Sequence, residues 1–299
     1  MDTSRIALVI DSCTDVPPAD VERYGMYVVP LQVNYERESF LDKVTITPQQ
    51  VYDRFSEEIP TTSTPTPAIA REVLQRVVDD GYEQAVIVTI SSGLSATCEL
   101  MRSITVGMPE LDCCIVDTKN IGMGAGLVAL AVARRLADGA TLDDLRRDSE
   151  RIVESTKVFF CVDTLEYLHK GGRIGNAAAL LGNLIQLSPV LTVSDGKADT
   201  FAKVRTRKKA LDRIVTEFKK DVEQHGLKHV VVHYIGDKTP AVAWAHEVVE
   251  PLLGRTVPVL PVSPVIGLHV GPAVGLAYEC ASALAGKISG PVQARACAS

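Results

Sequence analysis

Aromatic residues are scarce in this 299-residue chain: one Trp, eight Tyr and six Phe make up 5% of it. Single-stranded nucleic acid is read by aromatic side chains set among basic ones, and no such interleaving occurs. Net positive charge is missing too. Thirty-seven Asp and Glu outweigh 31 Lys and Arg, leaving −6 at pH 7, so the overall charge favours neither a polyanion nor an anionic membrane as partner. No apolar run approaches a membrane span; the longest, residues 126–133, is sized for a buried helix. The seven cysteines are odd in number and contain no CxxC pair. Cys113, Cys114 and Cys161 sit in apolar, strand-like runs, the usage expected of reduced cytoplasmic thiols and not of disulfides or structural zinc. The opening MDTSRIALVIDS carries an early acid and runs straight into a strand, so no signal peptide is expected.

What is present is an alternation of strand and helix patterns. Residues 85–89, AVIVT, are apolar or β-branched without a charge, which predicts a strand buried on both faces. The run stops at Ile90-Ser91-Ser92-Gly93 and reopens as a helix from Ser95 or Thr97 through Ile104. A strand, a small-residue turn and a helix start can form an anion site from converging N–H groups, a positive helix end and serine hydroxyls. The same residues also suit capping, with Ser95 as N-cap and Gly93 as the turn residue. Upstream, residues 5–10 read as a strand ending in the polar loop 11–15, which serves a ligand or caps the chain ahead of Pro17-Pro18. Residues 26–33 read as a second strand. Thr47-Pro48-Gln49-Gln50 predicts a capped helix start, and Thr66-Pro67 opens another helix with Ile69, Val73, Leu74, Val77 and Val78 on one face. The segment before it, PTTSTPTP, holds more hydroxyls than one cap requires.

Residues 112–117 form the next expected strand, followed by Gly122, Gly124 and Gly126 and an apolar helix over 127–136. A dinucleotide fingerprint fails here, because Leu127 stands where its third glycine belongs and the later acid falls on Asp143 or Asp144, at a helix start. Close helix packing is the expected use of these glycines. A charged helix over 141–154 leads to a strand at 158–162, then a short helix ended by Gly171 with Arg173 beyond it. A small-residue helix is expected over 177–185, and strands at 189–193 and 200–205 flank the hairpin signal Ser194-Asp195-Gly196-Lys197. A basic helix over 206–224, a strand at 230–235, a helix opening at Thr239-Pro240 and a strand at 257–262 complete the pattern. His225, His229 and His233 recur at helical spacing inside a strand-like run, so no metal site is expected of them. His269 falls in the Gly/Pro-rich loop that follows. The fold class is α/β, with a largely parallel sheet flanked by helices over 1–155, a mixed sheet with a β-hairpin over 156–290, and a tail over 291–299.

Five motifs share an order and spacing that resemble the DegV family across residues 5–280. They are Thr62-Ser63-x-Pro65, Ile90-Ser91-Ser92-Gly93-Leu94-Ser95, Asp163-Thr164-Leu165-Glu166-Tyr167-Leu168-x-x-Gly171-Gly172-Arg173-Ile174, Lys203-Val204-Arg205-Thr206-Arg207-Lys208-Lys209, and Gly267-x-His269-Val270-Gly271-Pro272. Thr64, Ala96 and Ala273 depart from the family's usual Gln, Gly and Gly. The resemblance implies a bacterial cytoplasmic carrier of a long-chain fatty acid, held in a tunnel between two α/β domains, without cofactor, nucleic acid or integral membrane association. It implies a kinase catalytic subunit as partner, to which the carboxylate is presented for acyl-phosphate formation, and a chain that is not itself an enzyme. It also implies that one residue from each of two loops holds the carboxylate. Thr62 or Ser63 with Ser95 is the expected pair, with Ser92 and Gly93 alongside and His269 completing the pocket.

The basic run 203–220 carries eight Lys or Arg against Asp212 and Glu217. It serves as a solvated face or as a docking surface, with Arg173, Arg205 and Arg207 as the candidates for the kinase or its nucleotide phosphates. The rival activity is a serine acyl hydrolase or transferase using Ser92 or Ser95 with His269 as base. Against it, no G-x-S-x-G elbow is present.

Overall fold

The computed structural model describes residues 5–55, 57–180 and 187–284. The tail expected over 291–299 lies outside them, as do the last residues of the second domain's expected span and most of the second half of the helix expected over 177–185. Within the described part of that helix, Gly175–Leu180 forms a 3₁₀ turn.

The strand expected at 85–89 is central. Gln84–Thr89 pairs in parallel with Ile6–Asp11 on one side and Asp112–Asp117 on the other, and Tyr27–Val29 completes a four-stranded sheet beyond Ile6–Asp11. Its side chains from Ala85 to Ile90 are buried, as they must be when helices cover both faces of a parallel sheet. Val9, Ile87, Val73 and Leu74 share one apolar cluster, which packs helix Pro67–Asp79 on the first face. Leu8, Val88, Val128 and Leu145 share another, which packs helices Met123–Ala137 and Leu142–Glu154 on the second. Glycine inside helix Met123–Ala137 acts by close approach: a Cβ on Gly126 would overlap the carbonyl oxygen of Thr14. Thr47 and Thr66 both cap their helices as the spacing predicts, Thr47 through a complete capping box.

The second strand does not run unbroken over 26–33. Tyr27–Val29 lies in the parallel sheet, whereas Gln32–Asn34 lies in a separate antiparallel sheet between Ser39–Leu41 and Thr61–Ser63. Pro30 stands at the crossing point, where it offers no N–H to a ladder. The consequence for the site is direct: Thr62 and Ser63 stand on a strand of this small sheet and not on a loop of the parallel one.

Residues after 155 build a six-stranded mixed sheet in the order Lys197–Ala202, Val190–Ser194, Thr156–Val162, Ala273–Cys280, Leu227–Ile235, Val259–Pro261. Asp195 and Gly196 have φ of 48° and 76°, the left-handed pair that a two-residue hairpin requires. The tight turn lets the outgoing strand begin at Lys197, earlier than expected, and end at Ala202. The strand expected over 257–262 is shorter, Val259–Pro261. Ala273–Cys280 has no counterpart in the sequence reading. All eight of its residues are buried between two neighbouring strands, so no polar alternation marks it. A core cluster joins the two halves, with Leu31, Ile90, Ile121 and Leu127 from one packing with Phe160, Val231, Ile235 and Ile266 from the other. The fold is α/β, with one parallel and one mixed sheet.

Candidate functional site

Ser263 and Pro264 open a helix that the sequence reading treats as loop. The Ser263 hydroxyl accepts from the Ile266 N–H at 3.3 Å, Pro264 occupies the first turn, and the helix runs Pro264–Val270 before Gly271 ends it at φ 73°. His269 therefore stands in a last helical turn, with its direction set by the helix. Its ring meets Thr62: Thr62 Oγ1 and His269 Nε2 are 2.6 Å apart. Strand alternation accounts for the choice of partner, since Thr62 is half-buried while Thr61 and Ser63 on either side are exposed.

The other edge of the ring is fixed by packing. A Cβ on Gly171, at the end of helix Glu166–Lys170, would overlap His269 Nδ1, so only glycine lets the imidazole lie there. Nδ1 itself is buried without a hydrogen-bond partner. Burial, aided by the positive charge of Arg173, pushes the His269 pKa down to about 4. At pH 7 the ring is neutral, so Nε2 can donate or accept according to tautomer.

Arg173 belongs to the same place. Its Nε donates to Leu94 O at 3.2 Å and its Nη1 to Gly171 O at 2.8 Å, tying the loop before helix Thr97–Val106 to the segment beneath His269. Ser95 is on that loop. Its hydroxyl lies 2.9 Å from Thr97 Oγ1 and accepts from the Thr97 N–H at 3.3 Å, a local bond just ahead of the helix, and the residue also lines the cavity. Ser63 borders the cavity, with Asn34 Nδ2 donating to its hydroxyl at 3.2 Å.

These groups surround the polar end of a cavity whose free space, counted out into open solvent, is about 630 Å³. Leu31, Ile90, Ile121, Phe160, Leu168 and Ile266 give it apolar walls. A second, inner cavity, about 330 Å³ on the same count, shares Ile121, Phe160, Ile266 and Val270 with the first, and its walls are almost wholly apolar. Sequence alone could not pick out these lining residues, because each sits in an apolar run like any other core residue.

Two expected site residues are not in the lining. Ser92 is exposed, its N–H and hydroxyl both donating to Asp117 at 3.0 and 2.5 Å. Gly93 is exposed as well, its N–H bonded to Ser91 Oγ, with the Gly196 carbonyl where a side chain would stand. They lock a turn to the neighbouring strand end. Arg205 and Arg207 also lie outside the lining; Arg205 is exposed, and Arg207 reaches Asp163 at 3.3 Å. Arg173, which the sequence reading grouped with them, lies instead at the cavity.

The arrangement offers hydroxyl, imidazole and guanidinium groups at one end of an apolar space, which suits one anionic head on a long apolar body. It does not offer a serine–histidine pair: among the described residues His269 bonds to Thr62, Ser95 to Thr97 and Ser92 to Asp117. Among the described residues no group of three or more His, Cys, Asp or Glu is arranged to hold a metal ion, and no helix is long and apolar enough to cross a membrane.

Comparison with known proteins gives a consistent picture. A family model described as an uncharacterised protein of the DegV family matches residues 5–280. A DegV domain-containing protein of Clostridium acetobutylicum is 32% identical over 283 residues, covering 91% of this chain and 97% of that protein. Among solved structures, a fatty-acid-binding DegV family protein from Thermus thermophilus is 32% identical, with a TM-score of 0.82 over 92% of this chain and 99% of its own. A stearic-acid-binding protein from Eubacterium ventriosum is 26% identical, with a TM-score of 0.84 over 93% and 99%.

Proposed function

This chain belongs to the DegV family, and on that premise we propose that it binds a long-chain fatty acid, its tail in the two adjoining cavities and its carboxylate among Thr62, Ser63, Ser95, Arg173 and His269. The observation that carries the reading is the Thr62–His269 pair, set with Arg173 at the polar end of an otherwise apolar cavity. The two ends contribute differently. Each buried CH₂ contributes up to about 0.8 kcal/mol, so a sixteen-carbon tail supplies roughly 10 kcal/mol before ordering costs. The head group supplies register, and hydroxyl and imidazole groups hold a carboxylate while leaving it free to react.

The carrier presents its carboxylate to a kinase subunit, which forms the acyl phosphate; this chain supplies binding and orientation. Docking falls to the basic face that includes Arg205, at the start of helix Arg207–His225. A carrier changed at Arg205→Glu, with Arg207→Gln so that no second carboxylate faces Asp163, tests both halves of the reading. Calorimetric titration should give wild-type affinity for hexadecanoic acid, because neither residue lines the cavity. Acyl-phosphate formation by the partner kinase should fall, and added salt should reproduce the defect with unaltered carrier. Loss of acid binding in the variant would remove the docking assignment, and failure of the unaltered protein to bind the acid would remove the carrier reading itself.

A further inference from the structure

One side chain of the inner cavity does not suit a saturated hydrocarbon. Strand Leu227–Ile235 turns Val231, His233 and Ile235 toward the cluster between the two halves, while Val230, Val232 and Tyr234 pack in the opposite one. Val231 and Ile235 are what an apolar face requires, yet His233 stands between them, 5% exposed and lining the inner cavity. Its Nε2 is buried with no hydrogen-bond partner. Among the described residues no carboxylate pairs with it: burial alone holds its pKa down, at about 4, so the ring is neutral at pH 7. Gly275 is directly across the ladder, and a Cβ on Gly122 would stand 3.7 Å from Nδ1.

We infer that His233 sets specificity for the acyl chain, selecting a fatty acid that carries a hydroxyl group on the distal part of its tail. The inference rests on the fatty-acid-binding reading and deepens it. A buried imidazole nitrogen without a partner is unfavourable, and a saturated tail leaves it so. A hydroxyl reaching the inner cavity both donates and accepts, so it pairs with either tautomer of the neutral ring. A binding site that hydrogen-bonds a ligand hydroxyl discriminates against the analogue lacking it more strongly than an apolar wall discriminates by shape.

The test is a calorimetric comparison of hexadecanoic acid with its monohydroxy isomers substituted along the distal half of the chain, using delipidated full-length protein. One or two adjacent isomers should bind about three- to tenfold tighter than hexadecanoic acid, the scale of one net hydrogen bond. His233→Leu should reverse the order, with hexadecanoic acid bound tighter than every isomer, and His233→Gln should keep part of the preference. The wild-type ratio alone decides the matter if either variant melts early. Tight binding of hexadecanoic acid with no isomer preferred, or a preference that survives His233→Leu, overturns the role of His233 and leaves the carrier reading standing. Binding of neither acid nor isomers overturns both.

Discussion

Thr62→Val should weaken binding of every long-chain acid by about ten- to a hundred-fold, the scale of a lost hydrogen bond to a charged group. Valine keeps the shape of threonine, so the cavity walls remain, but the hydroxyl facing His269 Nε2 at 2.6 Å is gone. The loss should be the same for acids of different chain length, because only the shared carboxylate is touched. A methyl ester of the same length should respond far less. Ser95→Ala makes an informative companion. Its hydroxyl also accepts from the Thr97 N–H, so that variant should lose head-group affinity and, in addition, about 1 kcal/mol of stability from the missing local hydrogen bond. Titration of both variants with acids and esters, with melting curves alongside, separates the two roles. If Thr62→Val alters chain-length preference instead, or weakens acid and ester alike, the carboxylate does not sit at Thr62.

Gly171→Ala should be the more damaging of the single-atom changes. Nothing in the Gly171 backbone forbids alanine; the obstacle is the space, because the new methyl group would overlap His269 Nδ1 and approach Tyr167 O at 3.0 Å. Either the imidazole leaves Thr62 or the end of helix Glu166–Lys170 moves away, and overpacking of this kind costs about 1–3 kcal/mol. Acid affinity should fall about as far as in Thr62→Val, with a lower melting temperature as well. Coupling tells the cause. In a His269→Ala background the overlap with the ring is gone and only the close approach to Tyr167 O remains, so adding Gly171→Ala should cost less than it does alone. Additive losses in that cycle, or wild-type affinity in the single variant, would show that Gly171 does not hold the ring in place.

Local signals carried much of this architecture. A Thr-Pro pair with Gln two residues later marks a helix start because capping chemistry acts within one turn, and Thr47 does cap there. Asp195-Gly196 marks a hairpin because few residues adopt its backbone angles. The site was legible only in part. Thr62, Ser63, Ser95 and His269 could be singled out, but what each contacts depends on pairings from distant segments. Ser92 looked equivalent to Ser95 in sequence; Asp117, on the neighbouring strand, takes its hydroxyl out of the cavity. The short strand of Thr62 was hidden by flanking prolines, and its partner strand by Pro30. The helix of His269 was masked by Gly267, Gly271 and Pro272, though Ser263-Pro264 carried a start signal. That seven-residue helix is held by burial of six of its residues more than by propensity. Arg173 was visible as an exposed cation, but only the fold brings it to the cavity.

The account stands most directly on whether this protein carries a fatty acid. Native mass spectrometry of gently purified full-length protein, followed by denaturing extraction, measures that. One equivalent of a long-chain acid should travel with the folded protein through gentle ionisation and appear as free acid once the chain is denatured, since none of Ser63, Ser92 and Ser95 is paired with a histidine to form an ester. Protein recovered empty in repeated preparations, and still empty after incubation with added long-chain acids, would contradict the account.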